Sequence, residues 1–249
     1  MTIFGHIKKF ILIFLKYASL VFFSLVAVIP LVSCVITAFK PDAEYNSTNV
    51  MTPPSSWLYF ENFVSAFKKA GMGRAFINST IILIAVLILS VFIGTQLAYV
   101  LNRFKFFGNT LIRNLFLVAC QLPGVAMQIA VYEMMYKLGF INNMFGYILM
   151  TCGTDVISIY IYIQFFENID YSLDESAIMD GASYFTIFYK ILLPLLKPAI
   201  VTACILKGVG TYNEYYNANL YLQDKKRYAT VATSLYTFVG PLGSKYNLI

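Results

Sequence analysis

The chain's architecture is most evident in residues 75–101, AFINSTIILIAVLILSVFIGTQLAYVL, an apolar stretch without a single charge. Crossing a hydrocarbon core about 30 Å thick takes about 20 helical residues, and this stretch is longer. Its centre, Ile81 to Leu89, shows none of the in-and-out alternation of a transmembrane barrel strand. Lipid cannot satisfy open backbone groups, so a helix is the structure that fits. The stretch therefore predicts a membrane-spanning helix.

Four further runs have the length and apolarity of a span: residues 17–39, 111–132, 141–166 and 199–222. The chain is 59% hydrophobic and 12% charged, whereas soluble domains carry roughly 25% charged residues. The first run is too long for a secretory signal and lacks a small-residue cleavage site, so it is expected to stay as a helix. The predicted fold class is all-α, a polytopic transmembrane helical bundle with five visible spans.

The net charge of +6 does not indicate nucleic-acid binding. Basic residues are scattered around the spans, and no basic stripe interleaves with stacking aromatics in a soluble segment.

The cysteines lie inside apolar runs without a CxxC pair, which predicts buried structural thiols rather than metal ligands or disulfides. No metal or cofactor is expected. The four cysteines are Cys34, Cys120, Cys152 and Cys204.

The positive-inside rule places the N-terminus in the cytoplasm. Raw counts of Lys and Arg on the two sides are nearly balanced, but the rule weights short loops and the ends of the first helix. The N-terminal flank is rich in Lys, and the short loop 102–114 holds three basic residues and no acid. Four spans precede the segment 167–198, which is therefore predicted to be cytoplasmic.

The segment 167–198 is charged but has helical patterning of its own. Ser172 followed by Glu175 has the spacing of a capping box. Asp174 and Glu175 in the first turn would also suit the helix dipole. A short helix is predicted to begin here.

This first short helix is predicted to break near Gly181. A second, over about 184–192, is expected to end before Pro194, because the residue before a proline disfavours helical geometry. Two short helices in a loop between spans make a compact protrusion that a soluble partner could hold.

This segment resembles the cytoplasmic signature of binding-protein-dependent ABC importer permeases. That signature has Glu-Ala-Ala, three residues, Gly, nine residues, and Ile-x-Leu-Pro. The matching residues here are Glu175-Ser176-Ala177, Gly181 and Ile191-Leu192-Leu193-Pro194, with Asp180-Gly181-Ala182 in the common form and Ser176 as the one departure.

The resemblance covers nearly the whole chain. Phe76-Ile77-Asn78-Ser79, Leu138–Asn143 and Tyr212-Asn213-Glu214-Tyr215 are similar to segments of maltose-type permeases, and Trp57–Phe63 is similar to their external aromatic segment. The maltose-type carbohydrate subgroup, with a MetI-like transmembrane domain, is the best match.

The resemblance implies a permease subunit of an ATP-driven importer for a sugar or oligosaccharide, in a prokaryotic plasma membrane. The implied partners are a second permease, two cytoplasmic ATP-binding subunits and an extracytoplasmic solute-binding protein. ATP hydrolysis would belong to a partner, so this chain is expected not to be an enzyme.

Gly181 would allow close approach of a partner's backbone. The alternative is that Gly181 only breaks the helix and Glu175 only caps it. The implied coupling residues are Glu175, Ser176, Ala177, Asp180, Gly181, Ala182 and Pro194.

The expected organisation is a transmembrane helix at 1–40, an external loop at 41–74 and a MetI-like domain at 75–249 that contains the coupling loop 167–198. The family usually has a sixth span, and this chain stops about where that span should begin. A C-terminally truncated permease is therefore predicted.

Charges inside the predicted spans are costly unless paired or hydrated. Asp155 and Lys207 lie at similar depths in consecutive antiparallel spans, so an ion pair is the first hypothesis. The alternatives are that each lines a hydrated pathway or faces the partner permease. Asn213 and Glu214 lie among aromatic and amide residues, which suits either solute contact or polar packing against the partner.

Three other functions fit the sequence less well. A secondary transporter or channel would show inverted repeats or paired broken helices, and neither is visible in the sequence. A non-transporting scaffold or fragment stays open because of the missing span. An enzyme has little support: Asp174, Glu175 and Asp180 belong to a predicted solvent-facing helix without His, metal spacing or a pocket.

Overall fold

The computed structural model describes residues 3–153, 155–240 and 243–248, and almost all of their regular structure is helical. A π-helix, Ile187–Leu192, lies between α10 and α11, and β1 (Val239–Gly240) pairs antiparallel with β2 (Gly243–Ser244). The all-α prediction is confirmed. The α-helices are α1 Ile3–Ala38, α2 Asp42–Ser47, α3 Glu61–Lys69, α4 Met72–Arg103, α5 Asn109–Gln121, α6 Gly124–Lys137, α7 Met144–Gly153, α8 Val156–Glu167, α9 Ser172–Met179, α10 Tyr184–Thr186, α11 Leu193–Leu195, α12 Lys197–Asn213, α13 Tyr216–Tyr221, α14 Lys225–Tyr228 and α15 Val231–Leu235, with 3-10 turns at Tyr236–Phe238 and Tyr246–Leu248.

Two unbroken helices in the described residues are long and apolar enough to cross a membrane: Lys9–Ala38 within α1, and α4. At 1.5 Å per residue, α4 is about 48 Å long, which exceeds the hydrocarbon thickness. It forms as predicted from residues 75–101. Three further pairs of helices reach spanning length only as bent units, so up to five crossings fit the structure.

The third predicted span is not one straight helix. Helices α5 and α6 bend by 107° relative to each other. Leu122 is extended, with φ −71° and ψ 124°, and Pro123 follows it. Proline has no N–H and pushes the preceding residue out of helical geometry, so the break at this point has a local cause.

The fourth and fifth predicted spans are also interrupted. Helices α7 and α8 bend by 44° beside Asp155, whose φ of −88° and ψ of 59° are not helical. The fifth run is helical only to Asn213, and a short helix, α13, follows after Glu214. The continuous spans predicted over 141–166 and 199–222 are therefore wrong in detail, because hydropathy measures length and apolarity but not backbone breaks.

The unit Gly73–Ser234 contains two apolar cores. The first packs Tyr99, near the end of α4, against Phe166 of α8 and Phe188 of the π-helix. The second packs Val86, in the middle of α4, with Tyr147 of α7 and part of α13. Helix α4 thus contributes to both cores.

The second compact unit comprises the residues up to Met72 together with those from Leu235 onward. The residues from Leu235 onward belong to this unit because their polar contacts are made with the loop after α1.

Asp42 is the centre of these contacts. Its Oδ2 lies 2.7 Å from Lys245 Nζ, and its Oδ1 accepts a hydrogen bond of 2.8 Å from Asn247 Nδ2. The hydrogen bond from Lys245 and then that from Asn247 lower the pKa of Asp42. Leu248 completes the contact by packing with Ala70 and Phe238 in a small apolar cluster.

Gly146→Ala should lower the free energy of unfolding by about 1–3 kcal/mol, the usual cost of overpacking. Gly146 lies in α7, and a Cβ there would collide with the side chain of Phe140. Gly124→Ala, in the first turn of α6, is the matched control, since, chain neighbours aside, a Cβ there meets no heavy atom of the described part of the chain within 4 Å. Thermal unfolding midpoints in one detergent would check this. Unchanged midpoints for both variants would contradict the close packing of α7.

Candidate functional site

Helix α9, the first helix of the segment 167–198, begins at an aspartate turn. Asp170 Oδ1 accepts a 3.0 Å hydrogen bond from the backbone N–H of Ser172, and this bond lowers the pKa of Asp170. The predicted capping box is wrong: Ser172 is already the first helical residue, and the side chain of Tyr171 at the N-cap makes no capping hydrogen bond. Aspartate favours such turns because its carboxylate reaches the backbone two residues on.

Helix α9 ends in a Schellman motif at Gly181. The N–H of Ala182 donates to the carbonyl of Ala177, and the N–H of Gly181 donates to that of Ile178, both at 2.9 Å. The φ of Gly181 is +80°, a left-handed conformation that costs a residue with a Cβ about 1–2 kcal/mol. Apart from its two chain neighbours, a Cβ at this position would meet no heavy atom of the described residues within 4 Å. The turn therefore requires glycine, and the space beside it is open.

The second helix of the segment begins at Tyr184 as predicted but does not end before Pro194. Ser183 caps it by accepting a hydrogen bond from the N–H of Thr186. The π-helix follows directly, and α11 then holds Pro194 in its first turn, where no N–H is needed. The chain bends by 71° only after Leu195, before α12.

A buried ion pair fastens α9 to the last residue of α4. Arg103 Nη2 lies 3.1 Å from Asp174 Oδ2, with the side chains 6% and 7% exposed. The same Nη2 donates to the carbonyl of Ile169 at 2.9 Å. The hydroxyl of Tyr171 donates to the carbonyl of Arg103 at 2.7 Å, and its ring centre lies 4.8 Å from the guanidinium carbon. Burial raises the pKa of Asp174, and the charge of Arg103 opposes that shift.

No sequence motif indicates this pair, and the prediction that Asp174 lies on a solvent-facing helix is wrong. Asp174 and Ala177, three residues apart, form the inward side of α9. Charged residues are rarely buried unless they are paired. The Arg103–Asp174 pair could have been found by looking for an acid on the apolar side of the loop helix and a base at the end of a span.

The residues implied by the resemblance separate into an outer and an inner set. Ala177 is 7% exposed and packs in the core with Ile187 and Phe188. It supports the helix from beneath, so a docking partner could not contact it directly. Ala182 is half-buried, and the exposed members are Glu175, Ser176, Asp180, Gly181 and Pro194.

Large apolar side chains are exposed in the same segment as these outer residues. Met179 is 87% exposed, Phe185 74% and Tyr184 57%. Together with the carboxylates of Glu175 and Asp180, they form a small protrusion that is both apolar and acidic. Exposed apolar surface of this kind commonly marks a binding site for another protein.

The predicted ion pair between Asp155 and Lys207 does not form as a direct contact. Lys207 Nζ donates instead to the carbonyl of Thr151 at 2.8 Å, and no ion pair within 4.0 Å joins it to Asp155 in the described part of the chain. The bend between α7 and α8 supplies a physical reason, because carbonyls near the end of a helix can accept hydrogen bonds from groups outside that helix. One oxygen of Asp155 is buried without a hydrogen-bond partner among the described residues.

Glu214 lies at the break between α12 and α13. Its Oε1 accepts a 3.0 Å hydrogen bond from the N–H of Asn217, while Asn213 is exposed. Gln128 of α6 donates to the hydroxyl of Tyr221 at 3.0 Å and lies 3.5 Å from Asn217 Oδ1. The break thus assembles polar side chains from α6 and α13.

No three His, Cys, Asp or Glu side chains come together as a metal site in residues 3–153, 155–240 and 243–248. The cysteines are only partly as predicted. Cys152 is buried and Cys204 half-buried, but Cys34 and Cys120 are exposed, because α1 and α5 direct those positions away from the chain's own core.

Known permease proteins are similar to this chain in sequence. The diacetylchitobiose uptake system permease protein NgcG of Streptomyces coelicolor is 27% identical over 81% of this chain and 66% of its own length. The probable ABC transporter permease protein YurM of Bacillus subtilis is 31% identical over 88% of this chain and 72% of its own. The maltodextrin transport system permease protein MalD of Streptococcus pneumoniae is 28% identical over 90% and 79%.

A solved structure shares the fold. It is a chain in the crystal structure of a bacterial ABC transporter involved in the import of the acidic polysaccharide alginate. The TM-score is 0.83 and the identity 21%, over 97% of this chain and 89% of that one. The family described as binding-protein-dependent transport system inner membrane component matches residues 87–239, which include α9, its glycine turn and the breaks around Asp155 and Glu214. The chain therefore belongs to the family of binding-protein-dependent transport system inner membrane components.

Proposed function

We propose that the chain is a permease subunit of an ABC importer for a sugar or oligosaccharide, and that helix α9 and its glycine turn couple it to a cytoplasmic ATPase. The observation that carries the proposal is the exposed protrusion around Glu175, Asp180 and Gly181, held to α4 by the Arg103–Asp174 pair. The sugar is supported by relatives whose names specify diacetylchitobiose and maltodextrin transport. The proposed partners are a second permease, two ATPase subunits and an extracytoplasmic solute-binding protein.

The proposed orientation has the N-terminus and α9 in the cytoplasm. Four crossings separate the two when each bent pair counts as one: α1, α4, α5 with α6, and α7 with α8. An even number of crossings returns the chain to the side on which it began. The basic residues of the short loop 102–114 support the cytoplasm as that side.

Coupling through this protrusion requires that a displacement of α9 be transmitted to the membrane spans. Two connections are available. The ion pair joins α9 to the last turn of α4, and the helical path from Tyr184 to Leu195 leads through the 71° bend into α12. The residues beneath α9 are close-packed, and a close-packed core transmits displacement with little loss. A partner that moved the protrusion would therefore move α4 and α12.

The polar groups at the helix breaks are proposed to line the solute pathway. Gln128 and Asn217 supply amide groups, with Gln128 held by the hydroxyl of the buried Tyr221, and Glu214 adds a carboxylate. Hydroxyl-rich solutes can be bound by such groups. Asp155 and Lys207 remain candidates for a hydrated pathway or for contact with the partner permease.

The proposal predicts that the chain copurifies with the ATPase and second permease encoded beside it, and that the assembly hydrolyses ATP faster with oligosaccharide-loaded binding protein. Glu175→Lys should weaken ATPase association at least about tenfold, equivalent to about 1.4 kcal/mol. Glu133→Lys is the matched control, since Glu133 is 65% exposed on α6. A stably folded chain that retains neither partner would contradict the proposal.

Two substitutions of Gly181 should separate its roles. Gly181→Ala should lower stability by about 1–2 kcal/mol because of the positive φ, whereas Gly181→Asn should cost less, since asparagine tolerates that conformation. Both add a Cβ on the open side of the turn, so both should reduce ATPase coupling. Stability and stimulated ATP hydrolysis are the measurements. Full coupling in Gly181→Asn would show that the glycine serves only the turn.

A double-mutant cycle should test the buried pair. Arg103→Met or Asp174→Leu alone should cost about 3–5 kcal/mol of stability, because each leaves an uncompensated buried charge. The double variant removes both charges and should recover most of that loss. Thermal unfolding of the purified assembly and its stimulated ATP hydrolysis would both be measured. Strictly additive losses would show that the two side chains do not depend on each other.

A further inference from the structure

Helix α3 has three distinct sides. Its inner side, Asn62, Ala66 and Ala70, packs within the N-terminal unit, where Asn62 and Ala70 are buried. Its polar side carries Glu61 and Lys68. Between them lies an apolar stripe with the i, i+3, i+4, i+7 spacing of an amphipathic helix. These residues are between 47% and 55% exposed: Phe60, Phe63, Val64 and Phe67.

The inner side fixes α3 to the end of the span α1. Asn62 Nδ2 donates to the carbonyls of Ala38 at 2.9 Å and Lys40 at 2.7 Å. The first is a carbonyl in the last turn of α1, which has no partner within its own helix. Helix α3 is therefore held at the level where α1 leaves the hydrocarbon core.

An aromatic cluster continues the stripe onto α1. The ring of Phe39, directly after α1, lies 5.7 Å from that of Trp57, 5.7 Å from Phe60 and 5.3 Å from Phe63. Trp57 itself is 51% exposed. Tryptophan and other aromatics concentrate where a membrane meets water, because their rings tolerate both environments.

Basic residues lie at the end of the helix. Lys68 and Lys69 occupy its last turn. With about 3.6 residues per turn, Lys69 lies on the side opposite the apolar stripe, whereas Lys68 lies beside it. A lysine at this position can extend its ammonium toward lipid phosphates while its methylenes stay in apolar surroundings.

We propose that α3, with Trp57, lies in the membrane–water interface as an in-plane helix, burying its apolar stripe at the level of the lipid headgroups and directing Lys68 to anionic phosphates. The exposed apolar face is covered by lipid rather than by another protein. Its attachment to the end of α1 makes it a continuation of the lipid-facing surface of that span, and its charge suits anionic lipid.

Trp57 is the only tryptophan of the chain, so its fluorescence reports on this site alone. The full chain would be reconstituted into phosphatidylcholine vesicles with or without phosphatidylglycerol. Some of the lipids would carry bromine near the headgroup or near the end of the acyl chain. Shallow bromines should quench Trp57 strongly and deep ones weakly. Quenching by aqueous iodide alone, or by deep bromines alone, would overturn the proposal.

Two variant sets sharpen the test. Phe63→Asp with Phe67→Asp should abolish shallow quenching, whereas the matched Phe63→Leu with Phe67→Leu should retain it. Lys68→Gln should remove the extra quenching seen with phosphatidylglycerol. A tryptophan-free partner permease provides the last control. If its addition removed bromolipid quenching, the face would belong to a protein interface and the proposal would fail.

Discussion

A helix in lipid must satisfy its own backbone, and this constraint explains where the chain carries its polar chemistry. Within an unbroken apolar helix every N–H and carbonyl is used, so groups become available only at helix ends and breaks. Lys207 binds the carbonyl of Thr151 near the bend between α7 and α8. Asn62 binds a carbonyl at the end of α1, and Glu214 accepts the N–H of Asn217 where α12 has ended.

Contacts at both ends of α9 and beneath it give the segment 167–198 its form. Helix α9 is too short to be stable alone, since isolated helices below about 12–15 residues are marginal. Three contacts compensate for this: the Asp170 turn at its start, the Schellman motif at its end, and the ion pair beneath it. The ion pair differs in kind from the two terminal contacts. It connects the segment to Arg103 of α4, so it can transmit a displacement of α9 to α4 as well as stabilise α9.

The two compact units present different surfaces. In Gly73–Ser234, apolar side chains of α4, α8 and the π-helix form a close core beneath a protrusion suited to a protein partner. In the N-terminal unit, α1 and the outer stripe of α3 remain exposed, which suits lipid. Under the two proposals, a single subunit carries one surface for a soluble partner and another for the bilayer, and the two differ in whether acids or a lysine border the apolar residues.

Much of this could be predicted from the sequence. Hydropathy and length are local properties, so residues 75–101 were enough for a membrane helix, and the spacing from Glu175 through Gly181 to Pro194 was enough for the family. A glycine between two short helices also predicted the turn at Gly181. The bends at Asp155 and Glu214, the continuation of the helix through Pro194 and the Arg103–Asp174 contact depend on tertiary structure. Arg103 and Asp174 are far apart in sequence, and only the packing of α9 onto α4 excludes the water that would otherwise separate the two charges.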